Sequence, residues 1–166
     1  MAETKIHGYT VQERLGKMDV DLIDVDPTCE AASNADGDVI FTFTEIENAV
    51  AVPGGSCLLH SAQLLDDDDN GGAIDLVFQS DNTTLGAIGA AVSESAANAG
   101  DILGYVSLST YFDGINWQMS TKTNIGLTMK AASGETSLYV AGVNRSGSAQ
   151  TATASGIHLK LGIIKD

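Results

Sequence analysis

Residues 64 to 78 read LLDDDDNGGAIDLVF, four consecutive aspartates and an Asn-Gly-Gly set between two apolar runs. Hard cations such as calcium bind several oxygen atoms at once, and carboxylates at this density supply them. The calcium loop of EF-hands reads D-x-[DN]-x-[DN]-G-x5-E, and Asp66, Asp68, Asn70 and Gly71 satisfy its first six positions. Val77 then stands where the bidentate glutamate belongs, and the flanking runs alternate like strands although the motif needs helices. The stretch is therefore expected to be a hairpin tip. Asn70-Gly71-Gly72 supplies the positive-φ residues of a tight return, and Asp66 to Asp69 point apart into water. A weak cation site at Asp66, Asp68 and Asn70 is the lesser alternative.

Other chemistry is sparse. His7, His60 and His158 lie far apart and none has a ligand spacing such as H-x3-H. His60 stands near Ser56, Cys57 and Ser61, a nucleophile and base on paper, but no G-x-S-x-G elbow or glycine-rich phosphate loop accompanies them. No catalytic residue, cofactor or enzymatic activity is expected. Trp117 with Tyr105, Tyr111 and Phe112 could form a sugar-stacking platform. In a chain with one tryptophan and 5% aromatic residues, core packing and an interface contact are the default. Cys29 and Cys57 allow at most one disulfide and are expected as free, buried thiols.

The elements that would position these residues are strands. Period-two alternation marks half-buried strands in VDLIDVD (20 to 26), DVIFTF, SCLLHSAQLL (56 to 65), AIDLVFQS, TNIGLTMKA, TSLYVAGV and GIHLKLGII. DILGYVSLSTYF (101 to 112) is a longer apolar run expected as one central strand. About eight short strands with little helical periodicity predict an all-β, single-domain β-sandwich, most naturally a jelly roll. In the last strand His158 and Lys160 fall on the outward phase. One or two helical turns are expected: Thr44 and Glu47 make a capping-box pattern before Pro53, and the Ala-rich segment 87 to 100 suits a turn or a surface crossover. Residues 1 to 18 read as an extended arm preceding a sandwich domain at 19 to 166.

A chain of 166 residues with 43% hydrophobic and 18% charged residues buries one sizeable core. Its net charge is −14, with the arm close to +1 through Lys5, Arg14 and Lys17. An acidic body repels phosphate backbones and anionic membranes, so nucleic acid and membrane are not expected partners. No stretch approaches the ~20 apolar residues of a membrane helix, and the N-terminus lacks a signal-peptide pattern, so synthesis and use in a cytoplasm are expected.

The segments DGDVIFTFTEIENAV (36 to 50), GGSCLLHSAQLLDDDDNGGAIDLVF (54 to 78), DILGYVSL (101 to 108), NIGLTMKAASGETSLYVAGV (124 to 143) and ASGIHLKLGII (154 to 164) follow an order that resembles capsid decoration, or cement, proteins of tailed bacteriophages. The resemblance is one of pattern across most of residues 36 to 164. It implies a jelly-roll or β-sandwich protein, often trimeric, that sits on the outer face of the virion shell. There it would bind the major capsid protein and reinforce contacts between capsomers. The arm's composition, independently, suggests Arg14 and Lys17 as partners for shell carboxylates and Ile6, Tyr9, Val11 and Leu15 as buried contacts. A carbohydrate-binding or adhesin-like sandwich on a fibre or virion surface is the alternative function.

Overall fold

The computed structural model describes Lys5–Ile6, Tyr9–Thr10 and residues 20 to 165. In chain order the strands are β1 (Lys5–Ile6), β2 (Tyr9–Thr10), β3 (Val20–Val25), β4 (Ala32–Asn34), β5 (Val39–Ile46), β6 (Ser56–Asp66) and β7 (Ile74–Gln79). A 3-10 turn at Ala99–Asp101 leads into β8 (Ile102–Leu108), followed by β9 (Tyr111–Asp113), β10 (Gln118–Lys130), β11 (Leu138–Asn144), β12 (Gln150–Ala152) and β13 (Ile157–Lys165).

Two antiparallel sheets face each other. One has the order β3-β13-β6-β10-β9 and the other β5-β11-β7-β8. Without the three-residue β9, each sheet holds four strands, and the chain passes from sheet to sheet at nearly every connection. That interleaving is the jelly roll expected from the alternation, with the expected number of principal strands. β1 pairs with β2, and β4 with β12, as short ribbons.

The sandwich is filled by the inward phase of each strand. Ala62 and Leu64 of β6, Ile74, Leu76 and Phe78 of β7, and Ile157, Leu159, Leu161 and Ile163 of β13 are all buried in one cluster. Strict alternation predicts Val39, Phe41 and Phe43 on one face, and β5 departs from it. Its pairing with β11 slips twice between Val140 and Val143 with the extra residues on β5, so Ile40 and Phe41 both enter the main core. Val39 and Phe43 join a second cluster with Leu85, Ala141 and Val143 on the opposite face of that sheet. The segment 81 to 100 covers this cluster: Val39 donates its N–H to Ala90 O at 2.9 Å, and Gly89 donates to Val39 O at 2.9 Å. The Ala-rich stretch is thus a long covering connection that ends in one helical turn; it is not a crossover, because β7 and β8 are antiparallel neighbours in one sheet.

Three local expectations are corrected. The capping-box pattern at Thr44 forms no helical turn, because β5 continues through Ile46, with Thr44 opposite Val140 and Ile46 opposite Leu138. Strand pairing outweighs a weak local preference. The run 101 to 112 is not one central strand: it breaks after Leu108, leaving β8 at the edge of one sheet and β9 at the edge of the other. Exposed Ser109 and Thr110 carry the chain between them. β10 starts at Gln118, earlier than the alternation of 123 to 131 suggests, because polar Gln118 and Ser120 occupy its buried positions.

Candidate functional site

Strand register gathers four connections at one end of the sandwich. Asp66 pairs with both Gln118 and Ile157, and Leu159 with Val25, so residues 26 to 38, 67 to 73, 114 to 117 and 145 to 156 lie together. The acidic stretch belongs to this end, and it is not a hairpin tip. β6 and β7 lie in different sheets, so residues 67 to 73 cross between them.

Asp66 and Asp68 do structural work inside that crossover instead of pointing into water, while Asp67 and Asp69 are exposed, as expected. Asp66 is buried and caps the turn: Oδ1 accepts the Asp68 N–H at 2.9 Å and Oδ2 accepts the Asn70 N–H at 3.0 Å. Asp68 Oδ2 accepts the Thr153 N–H at 2.6 Å, and Asn70 Oδ1 accepts the Thr151 N–H at 3.2 Å. These oxygens are therefore engaged by N–H donors, which is the opposite of a cation's demand. Burial pushes the Asp66 carboxyl above the ordinary carboxylate value, against the lowering effect of its two backbone donors. Among the described residues no group of three or more His, Cys, Asp or Glu could hold a metal ion. A Cβ at Gly72 would lie 2.6 Å from Ser146 Cβ and overlap the end of the Gln150 side chain, so the close approach of this loop to β12 favours glycine.

The outward phase of β13 is paired, as the alternation suggests. On that face Lys160 Nζ lies 2.7 Å from Asp24 Oδ1; Lys165, on the inward phase at the strand's end, lies 2.7 Å from Asp21 Oδ2. His158 bridges Asp26 at 2.7 Å and Asp67 at 3.4 Å. The hydrogen bond to Asp26 raises its pKa, reinforced by Asp67 and opposed by partial burial. His60 is half-buried on β6, whereas Cys57 lies within the core cluster. Cys29 is buried and free, its pKa pushed up to about 12 by burial and by Asp68 and Asp66. A thiol at that value is no nucleophile at neutral pH.

Trp117 is half-buried and lies outside the core clusters. It stacks with Phe112 at a centroid distance of 5.8 Å and a tilt of 36°, in the hairpin that joins β9 to β10. Gly114 donates its N–H to Trp117 O at 2.9 Å, and a Cβ on Gly114 would lie 2.3 Å from the indole. The ring thus rests on glycine backbone, while Phe112 is 63% and Ile115 87% exposed. Tyr111 is half-buried, with its hydroxyl donating to Leu108 O at 3.2 Å.

No protein-family model matches the sequence, and no curated protein matches it. Among solved structures the chain is similar to one from the capsid of Ralstonia phage GP4, at 19% identity over 89% of this chain and 85% of that one, with a TM-score of 0.41. It is also similar to a chain of tomato aspermy virus, at 14% identity over 100% and 82% of the two chains with a TM-score of 0.37. A third is from Desmodium yellow mottle tymovirus, at 12% identity over 87% and 80%, with a TM-score of 0.28. All three are virus structures.

Of the arm residues singled out for partner binding, Ile6 lies in β1 opposite Tyr9 in β2. Val11, Arg14, Leu15 and Lys17, like His7, lie outside the described residues. Sequence reasoning missed Ile115 as a surface feature. Its signal was DGINW, an apolar residue inside a turn pattern where no strand face could bury it.

Proposed function

We propose that this chain is a structural, non-enzymatic protein of a virion that binds the outer surface of a tailed-phage capsid and reinforces contacts between capsomers. Its partner is the major capsid protein, and it acts as a homo-oligomer, a trimer in this reading, made in the host cytoplasm and carried on the shell. The observation that carries the proposal is an asymmetry within the chain. The sandwich is rigidly stitched at its loop end and strongly acidic, whereas residues 1 to 18 sum to +1 and hold Arg14 and Lys17 among Ile6, Tyr9, Val11 and Leu15. A body of that charge stays soluble and avoids nucleic acid, leaving the arm to meet carboxylates and apolar hollows of a shell. Several arms on one oligomer multiply modest contacts into durable attachment.

The test compares the full chain with residues 19 to 166, each mixed with undecorated phage shells and imaged. The full chain is expected to decorate, and the truncated chain to keep its oligomeric mass without binding. Full occupancy by the truncated chain would remove the arm from the mechanism. Absence of decoration by the full chain would remove the shell reading.

A second reading, a carbohydrate-binding or adhesin-like sandwich, draws on the exposed Phe112–Trp117 pair. Glycan binding that Phe112→Ala and Trp117→Ala abolish would replace the shell reading.

A further inference from the structure

The β9–β10 hairpin is a stiff apolar prong. The Gly114–Trp117 hydrogen bond closes it, Asn116 turns it at φ +66°, and the indole braces it against Gly114, so Phe112 and Ile115 are presented without loop-ordering cost on binding. The outer face of the other sheet holds a hollow of about 360 Å3, walled by Val77, Leu85, Val92, Ile102, Tyr105 and Val143. Its volume is at the small end for ligand pockets, and its wall keeps Tyr105 67% and Val92 41% exposed. Asp75 and Arg145 form its charged rim. Arg145 meets Asp75 through Nε at 3.1 Å, with half of its side chain still in solvent.

We propose that the prong of one copy of this chain inserts into the hollow of the next, with Phe112 and Ile115 against the apolar wall and Asp113 facing Arg145. Charge placement is what favours a second copy as the occupant. Copies at −14 repel one another, so they associate only where apolar burial coincides with opposite charge. Arg145, one of eight basic residues in the chain, stands at the apolar hollow, and exposed Asp113 stands at the prong. The prong extends the five-stranded sheet and the hollow lies on the four-stranded one, so the contact is head-to-tail. Head-to-tail contacts close into rings when the rotation allows. The inference deepens the oligomer of the reading above, and it is tested without a shell, so either can fail alone.

Ile115→Asp spoils the prong and Tyr105→Glu spoils the hollow; both sites are exposed, so folding is retained. Light scattering on the full chain is expected to give an oligomer for the wild type and monomers for each variant, with each variant keeping a cooperative melting transition and the wild-type strand content by circular dichroism. Mixing the two variants is expected to restore a 1:1 dimer, because one intact prong still meets one intact hollow. A monomeric wild type, single variants that keep the wild-type mass, or a mixture that stays monomeric would each overturn the proposal.

Discussion

Asp68 ties two loops of the sandwich together, its Oδ2 accepting both the backbone N–H of Thr153 at 2.6 Å and the Thr153 hydroxyl at 3.1 Å. The crossover between β6 and β7 is thereby fastened to the segment between β12 and β13. Hydrogen bonds to a charged acceptor contribute about 1.5–3 kcal/mol. Asp68→Ala should therefore lower stability by about 1–3 kcal/mol in chemical denaturation, and Asp69→Asn, which removes only an exposed charge, should change it by less than about 0.5 kcal/mol. Equal losses from the two would show that the Thr153 contact does not hold the loop.

Calcium should leave the melting temperature unchanged relative to chelator. The oxygens of Asp66 that would bind it already accept the Asp68 and Asn70 amides. A calcium-dependent rise would mean that the loop opens and exchanges those donors for the cation.

The stability that His158 contributes should fall as pH rises from 6.5 through its higher folded value. His158 is raised above its ordinary 6.5, first by the hydrogen bond to Asp26 and then by Asp67. The imidazolium's contribution is complete below 6.5, the unfolded value, and disappears as pH passes the higher folded value. All three side chains are substantially exposed, so the effect is small. Melting temperatures across that window should decline for the wild type and be flatter for His158→Gln; parallel curves would assign the decline to other groups.

Cys29 should resist thiol reagents in the native protein at mildly alkaline pH and react promptly in denaturant, because its pKa is pushed up to about 12 and it is buried. Fast native labelling at Cys29, read by mass spectrometry of the modified peptide, would contradict its burial.

Phe78 is fully buried on β7, and Phe78→Ala should cost about 3–5 kcal/mol through lost burial and the cavity left behind. Exposed Phe112→Ala should leave stability nearly unchanged in the monomer, which separates the core aromatic from the surface one in a single pair of unfolding curves.

Alternation by itself determined the sandwich and the inward residues of strands such as β6, β7 and β13, because a strand with one buried face must repeat every second residue, whereas the slips in β5 and the break after Leu108 did not follow from it. It also carries Asp66 on the inward phase of Ala62 and Leu64, a signal that the aspartate run obscured. Which strands pair was decided only in three dimensions. LLDDDDNGGAIDLVF suits a hairpin and a crossover equally well, since both need apolar flanks and positive-φ residues between them. Pairing of β6 with β10 and β13, distant in sequence, chose the crossover and turned the aspartates from a solvated tip into acceptors for backbone amides. The hollow depends on the same cause, because its wall joins Val77, Tyr105 and Val143 through long-range strand pairing, whereas the prong is a local hairpin whose DGINW turn stands in the sequence.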